Sequence, residues 1–278
     1  MICAWKELLS ILPSWLSQEL DKCSHETLQE LRLRLDMPPQ LIHKHTTQWL
    51  DRPVTSSDLN FCINTASRYS PWAVQSVAQG YITAPGGHRI GLCGDAVIQN
   101  GHMSGIRSSR SLCIRVARDF PDIAYPYRSY KGSILIIGPP GSGKTTFLRD
   151  LIRQIAAQET VAVVDERCEL FPEQFPAGNQ SLDVLSSCPK KDGIDMLIRT
   201  MGPVTIAVDE ITSQEDCAAL LQAGWCGVRL LATAHAANSS DLHNRSIYKP
   251  LLNTHLFEHI LILNRNKTVH EERIFHEF

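Results

Sequence analysis

The chain has 278 residues, room for about two domains with a core in each, and its charge is nearly balanced: 27 basic against 29 acidic side chains, formal net −2. That balance leaves no basic footprint for a nucleic-acid binder and no acidic run for a disordered tail. The nine cysteines are scattered without a C-x-x-C pair, which excludes a disulfide framework or zinc knuckle and fits buried thiols in a reducing cytosol.

From residue 5 to about 20, Leu8, Leu9, Leu12, Trp15, Leu16 and Leu20 predict one amphipathic helix despite Pro13. Lys6 and Glu7 interrupt the apolar start, so no signal-peptide core follows. No apolar run approaches a membrane span, and a soluble, cytoplasmic protein is expected. Residues 28–35 alternate apolar and charged, a half-buried strand that ends at Pro38-Pro39. Residues 41–50 are read as the next strand or hairpin partner. Ser56-Ser57-Asp58 caps a helix carrying Leu59, Phe61, Cys62 and Ala66, and a short helix is expected at 72–78.

Residues 80–94 predict two short strands joined at Pro85-Gly86-Gly87, and Asn100-Gly101 marks a second hairpin. The stretch 105–118 holds Arg107, Arg110, Arg115 and Arg118 with no acid among them, and 112–116 has strand character. This block reads as a smaller α+β domain over 1–125. A linker at 119–131, with Pro121, Pro126 and three tyrosines, leads to a second domain over 126–278.

The second domain alternates strand and helix, as a doubly wound, mainly parallel sheet does. Strands are expected at 134–137, 161–164, 205–208, 229–232 and 259–263. Helices are expected from Lys144, at 193–201 and at 215–223, the last closed by Gly224 as C-cap.

The chemistry centres on Gly138-Pro139-Pro140-Gly141-Ser142-Gly143-Lys144-Thr145, which fits G-x-x-x-x-G-K-[ST] at every fixed position, with Thr146 behind it. Glycines allow consecutive N–H groups to curl around a phosphate where a Cβ would collide. Lys144 would reach the β- and γ-phosphates of ATP, and the Thr145 hydroxyl would ligate Mg²⁺. The apolar strand before the loop and the periodic Phe147, Leu148, Leu151, Ile152 and Ile155 after it supply the required strand–loop–helix setting.

Two further strands run into acids. The strand at 205–208 ends in Asp209, placed for the Mg²⁺ shell, and Glu210, placed to deprotonate the attacking water. The strand at 161–164 ends in Asp165 and Glu166, which bring more carboxylates toward a metal unless Glu166 pairs locally with Arg167. Either Glu210 or Glu166 can serve as catalytic base on this reading. A third strand end carries Thr233 and His235, where a polar group could sense the γ-phosphate. A lone histidine more often has a structural role.

In chain order, residues 31–35, 80–94, the phosphate loop, Val164-Asp165-Glu166-Arg167-Cys168-Glu169, Met196-Leu197-Ile198-Arg199, Val208-Asp209-Glu210-Ile211 and Ala232-Thr233-Ala234-His235 resemble the stage III sporulation protein AA family. That family is a relative of the type II and type IV secretion and pilus-motor ATPases. Pro85-Gly86-Gly87-His88-Arg89 is the most specific part of the likeness, which spans nearly the whole chain.

The resemblance implies a RecA-like ATPase of endospore-forming bacteria, a homo-oligomeric ring hexamer that drives a channel between mother cell and forespore. It would sit beneath the membrane through membrane subunits of that channel. It also implies that Asp165-Glu166 is an aspartate box, His235 a histidine box, and Arg115 or Arg107 an arginine reaching nucleotide across a subunit boundary. The chain departs from the pattern at Thr212-Ser213-Gln214, where a basic residue is expected, and at 170–180. The rivals are a nucleic-acid translocase, which the balanced charge disfavours, and a nucleotide-gated scaffold with little turnover.

Overall fold

The computed structural model describes residues 2–23, 26–68, 80–99, 101–172 and 181–273. The expected helix at 72–78, Asn100 of the second hairpin signal and most of the atypical 170–180 stretch lie outside these residues. Contacts divide the chain into two compact units, one built on Met1–Asp119 and the other on Phe120–Phe171 with Pro176–Phe278.

In the first unit, β1 (Ile2–Cys3) precedes α1 (Trp5–Ser10) and α2 (Ser14–Asp21). One helix was expected where two stand. Pro13 has no N–H to continue the first and serves as N-cap of the second. The alternating stretch forms β2 (Leu28–Arg34), followed by β3 (Gln40–His43) and β4 (Thr47–Trp49). Helix α3 (Ser56–Ala66) starts on the residues expected to cap it, and its N-cap is Thr55, one residue earlier. Thr55 accepts the Asp58 N–H, and the Asp58 carboxylate accepts the Thr55 N–H in return.

Strands β5 (Tyr81–Thr83), β6 (Arg89–Gln99) and β7 (His102–Arg115) follow, and β8 (Arg118–Asp119) returns to β1. Strand β7 is far longer than the 112–116 segment expected. The six-stranded sheet runs β4-β3-β2-β7-β6-β5, with every pairing antiparallel. Its inner face (Leu31, Leu33, Leu41, Ile90, Leu112, Ile114) packs on Leu8, Leu16 and Leu59.

The Pro85–Gly87 turn has a structural cause. Gly86 and Gly87 take φ of +82° and +72°, and a side chain on Gly86 would collide with Ala4 and the His88 ring. His88 is fully buried: Nδ1 accepts the Ala117 N–H at 3.1 Å, and Nε2 donates to the Ala4 carbonyl at 2.8 Å. One imidazole thus ties the start of the unit to the chain that leaves it.

The second unit opens on β9 (Ile134–Ile137), then α4 (Lys144–Ala156), β10 (Val161–Asp165), β11 (Leu182–Ser186), α5 (Lys190–Thr200), β12 (Thr205–Glu210), α6 (Gln214–Trp225) and β13 (Arg229–Ala234). Short helices α7 (Ser239–Asn244) and α8 (Lys249–Asn253) lead to the hairpin β14 (His259–Leu263) and β15 (Val269–Arg273). The sheet order is β11-β10-β12-β13-β9-β14-β15, parallel except for the final antiparallel strand. Strands β11 and β15 and helices α7 and α8 were not foreseen. Strand β11 is half polar and β15 is charged, so neither shows the buried apolar run that marked the others.

Period-two alternation assigns the two faces. Ile134, Ile136, Val161, Val163, Ala207 and Leu231 pack on α4. Leu135, Ile137, Ala162, Val164, Ile206 and Val208 pack on α5 and α6. Helices therefore cover both faces of an α/β sheet. Gly224 lies inside α6 and is not its C-cap: a side chain there would collide with Leu256, and the positive φ falls at Gly227 (+81°). Helix α4 holds the incoming segment, because the buried Asp150 accepts the Asp122 and Ala124 N–H groups at 3.0 and 2.8 Å.

Candidate nucleotide site

The phosphate loop links the C-terminal end of β9 to α4. Gly141 and Gly143 adopt φ of +76° and +103°, turns that a side chain would strain. Gly143 is the N-cap of α4 and offers no side chain to its first N–H groups, so that end stays open to an anion. A Cβ on Gly138 would collide with the Leu263 carbonyl of β14. The Ser142 hydroxyl is buried with no hydrogen-bond partner among the described residues. A cradle built this way fits a polyphosphate.

Lys144 is buried, and its ammonium donates to Gly138 O at 2.9 Å and Pro139 O at 3.3 Å. It also lies 2.9 Å from His235 Nδ1. An ammonium can only donate, so Nδ1 accepts and the ring proton sits on Nε2, which is 3.0 Å from Glu210 Oε1. Lys144, His235 and Glu210 thus form one hydrogen-bonded line across the ends of three strands. Burial pulls the Lys144 ammonium below its ordinary value, opposed by Glu210 and Asp209.

Beside that line, the Thr145 hydroxyl donates to Asp209 Oδ1 at 3.3 Å. Burial pushes the Asp209 carboxyl up to about 7, with Glu169, Asp165 and Glu210 adding repulsion. A carboxyl held in that state lacks a counter-charge, and a divalent cation would supply one. Tyr248 braces the site from below. Its buried hydroxyl donates to Ile211 O at 3.3 Å, in the chain just after β12.

The other strand-end acids are used differently. Asp165 is fully buried and accepts three backbone N–H groups, from Glu169 (2.8 Å), Leu170 (3.0 Å) and Phe171 (2.9 Å). The buried Arg149 holds the carbonyls of the same turn, Glu169 O at 2.6 Å and Leu170 O. Glu166 pairs with the buried Lys190 at the start of α5, where a local pair with Arg167 was the alternative expected. Lys190 is also 3.6 Å from Asp216 Oδ2, which accepts the Thr212 and Ser213 N–H groups. Thr212-Ser213-Gln214 therefore starts helix α6, with Ser213 as its cap.

Arg107 and Arg115 lie on β7 in the first unit, and the Arg107 side chain is exposed. The stretch is acid-free in sequence but not in the fold. Cross-strand pairing brings Glu30 to 3.7 Å from Arg115 and Asp95 to 3.3 Å from Arg110, and Arg118 donates to Leu28 O. Sequence reasoning missed Lys190, Tyr248 and Lys267, which donates to Gly141 O (2.7 Å) and Ser142 O (3.0 Å) of the phosphate loop. Their partners are far away in sequence, so no local pattern marks them.

The model of the family described as Sporulation stage III, protein AA matches residues 6–276. Stage III sporulation protein AA of Bacillus subtilis (strain 168) is 35% identical over 283 residues, covering 94% of this chain and 91% of that protein. Among solved structures, the Legionella pneumophila ATPase DotB superposes with a TM-score of 0.61 at 18% identity, over 90% of this chain and 76% of that one. The pilus retraction motor PilT, solved with bound ADP, gives 0.58 at 15% identity over 88% and 76%. These two likenesses show the fold. Among the described residues no helix is long and apolar enough to cross a membrane.

Proposed function

The chain belongs to the stage III sporulation protein AA family, and from that premise we propose that it is an ATP-binding, ATP-hydrolysing motor with a RecA-like second domain. Its work would be to power assembly of, or transport through, a secretion-like channel between mother cell and forespore. The observation that carries this reading is the line Lys144–His235–Glu210 beside Thr145 and Asp209, set at the mouth of a glycine-built phosphate loop. PilT, a neighbour in fold, was solved with ADP, which supports a nucleotide as the ligand here.

Residues 138–146 cradle the phosphates. Thr145 and Asp209 would hold Mg²⁺, which would supply positive charge to offset that of the phosphates. On nucleotide binding Lys144 exchanges the Gly138 and Pro139 carbonyls and His235 for phosphate oxygens. That exchange frees Nδ1 of His235, while Nε2 still orients Glu210. Glu210 takes the proton of the attacking water. Glu166 acts in support, through Lys190 and Asp216, on the turn that follows Glu210.

Arg107 and Arg115 would complete the charge balance from the first unit of a neighbouring subunit in a ring hexamer. Arg107 is the freer of the two, since Glu30 holds Arg115. The chain would act in the cytoplasm, peripheral to the membrane through the channel's membrane subunits.

Fluorescent-nucleotide titration and phosphate release test the reading. Lys144→Ala should abolish tight ATP binding, and Glu210→Gln should bind ATP without turnover. ATP affinity of Lys144→Ala equal to wild type would overturn it. Wild-type protein that binds ATP yet releases no phosphate, with or without membrane partner, would make it a nucleotide-gated scaffold.

A further inference from the structure

The phosphate loop carries a second lysine that its sequence motif does not contain. Lys267 lies at the tip of the β14–β15 hairpin, 122 residues after the last residue of the motif, Thr145. Its ammonium donates to Gly141 O at 2.7 Å and Ser142 O at 3.0 Å. The preceding strand meets the other end of the same loop, where the Leu263 carbonyl leaves no room for a side chain on Gly138. One hairpin thus brackets the loop at both ends.

Resting on the phosphate-loop reading above, we propose that Lys267 is a positioning residue for nucleotide binding, which fixes the Gly141–Gly143 backbone in its anion-binding orientation. In a trans peptide the C=O and N–H point in opposite directions. Holding the Gly141 and Ser142 carbonyls from outside therefore sets the following N–H groups, of Ser142 and Gly143, on the far side. Here the Ser142 N–H is spent on closing the turn, on Pro139 O at 3.2 Å, so the Gly143 N–H at the uncapped start of α4 is the donor left to an anion. A cation on the carbonyls also polarises those peptide groups and strengthens their N–H donors.

The backbone of the turn supplies the second observation. Lys267 sits at φ +70°, in the left-handed region that suits glycine or asparagine at a hairpin corner. Around it the turn is well braced. The Lys267 N–H meets Asn264 O at 3.0 Å, the Asn264 N–H meets Thr268 O at 3.0 Å, and the Thr268 hydroxyl meets Asn266 Oδ1 at 2.7 Å. Turn formation alone would be better served by glycine, so a lysine at this corner carries a conformational cost that its two side-chain bonds to the loop can offset. Arg265, two residues earlier and also exposed, is a cation of the same turn with no contact to the loop among the described interactions.

The role separates stability from binding, and the test uses both. Titration of the full chain with a fluorescent ADP analogue should show about tenfold weaker binding for Lys267→Met and Lys267→Gly, the loss expected for two charge-assisted bonds. Lys267→Arg should restore most of it, and Arg265→Met should bind as wild type. Lys267→Gly should melt at or above the wild-type temperature, because glycine relieves the turn. Met and Gly variants that bind ADP as wild type overturn the proposal, as does an equal loss in Arg265→Met, which would mean a diffuse field. A binding loss accompanied by a lower melting temperature in both variants overturns it too. Wild-type protein that binds no ADP sinks the phosphate-loop reading instead, a distinct result.

Discussion

Strands β10 and β12 end in the same two letters, Asp-Glu, side by side in one sheet, and the fold spends them in opposite ways. At β10, Asp165 is saturated by three backbone N–H groups and Glu166 is paired with Lys190. At β12, Asp209 has one long bond from Thr145 and stands near three other carboxylates, while Glu210 faces His235. A carboxylate with its lone pairs filled is structural. One kept in a buried, repelling setting is held for a ligand. The difference comes from what faces each strand end.

Five substitutions would break or sharpen this contrast. The largest effect is expected at Asp165→Ala, which strands three buried N–H groups. It should cost about 4 kcal/mol of stability, read by denaturant unfolding. Loss of turnover at unchanged stability would put Asp165 in the chemistry instead.

Next comes the glutamate pair. Glu210→Gln should lower the phosphate-release rate on the order of 10²-fold or more with ATP binding intact, whereas Glu166→Gln should change it by about threefold at most. The reverse pattern would exchange their roles.

Asp209 gives the pH dependence. In the folded chain its carboxyl keeps a proton up to about 7, and its ordinary value is 3.8. Raising the pH from 4 toward 7 therefore ionises the unfolded state first and withdraws stability from the ligand-free protein. Asp209→Asn removes that loss. It should melt a few degrees above wild type at pH 8, match it near pH 4, and release no phosphate at either. A lower melting point at pH 8 would show that the carboxylate is compensated after all.

The smallest effect is expected at Lys190→Met. Glu166 can then turn to water and Asp216 keeps its Thr212 and Ser213 N–H bonds, so stability should fall by about 1 kcal/mol and turnover should hold within about twofold. A large drop in turnover would tie Glu166 to the chemistry through Lys190.

Legibility in the sequence followed the range of the physical signal. The phosphate loop, its strand and its helix were readable because motif, buried run and helical period fall within about twenty residues and agree. Strands β12 and β13 were readable for the same reason, and their polar ends with them. Strand β15 was not, because its charged face gives no buried run. The break at Pro13 was visible and underweighted against the leucine period. The acid-free run 105–118 gains its carboxylate partners only in the fold: Glu30 is 85 residues from Arg115 and meets it across β2 and β7.

By itself, the order of residues determined that a glycine-rich loop joins a buried strand to a helix, which strand ends carry acids, and that helices would cover a parallel sheet. Each of these depends on local spacing, which the backbone converts directly into geometry. The tertiary structure alone decided which Asp-Glu pair is held by its neighbours and which is left with few partners. It also decided that His235 joins Lys144 to Glu210, and that a lysine from the last hairpin holds the phosphate loop. Those outcomes depend on the distance between side chains that the chain brings together from afar, and charge and hydrogen bonding act over that distance and not over sequence.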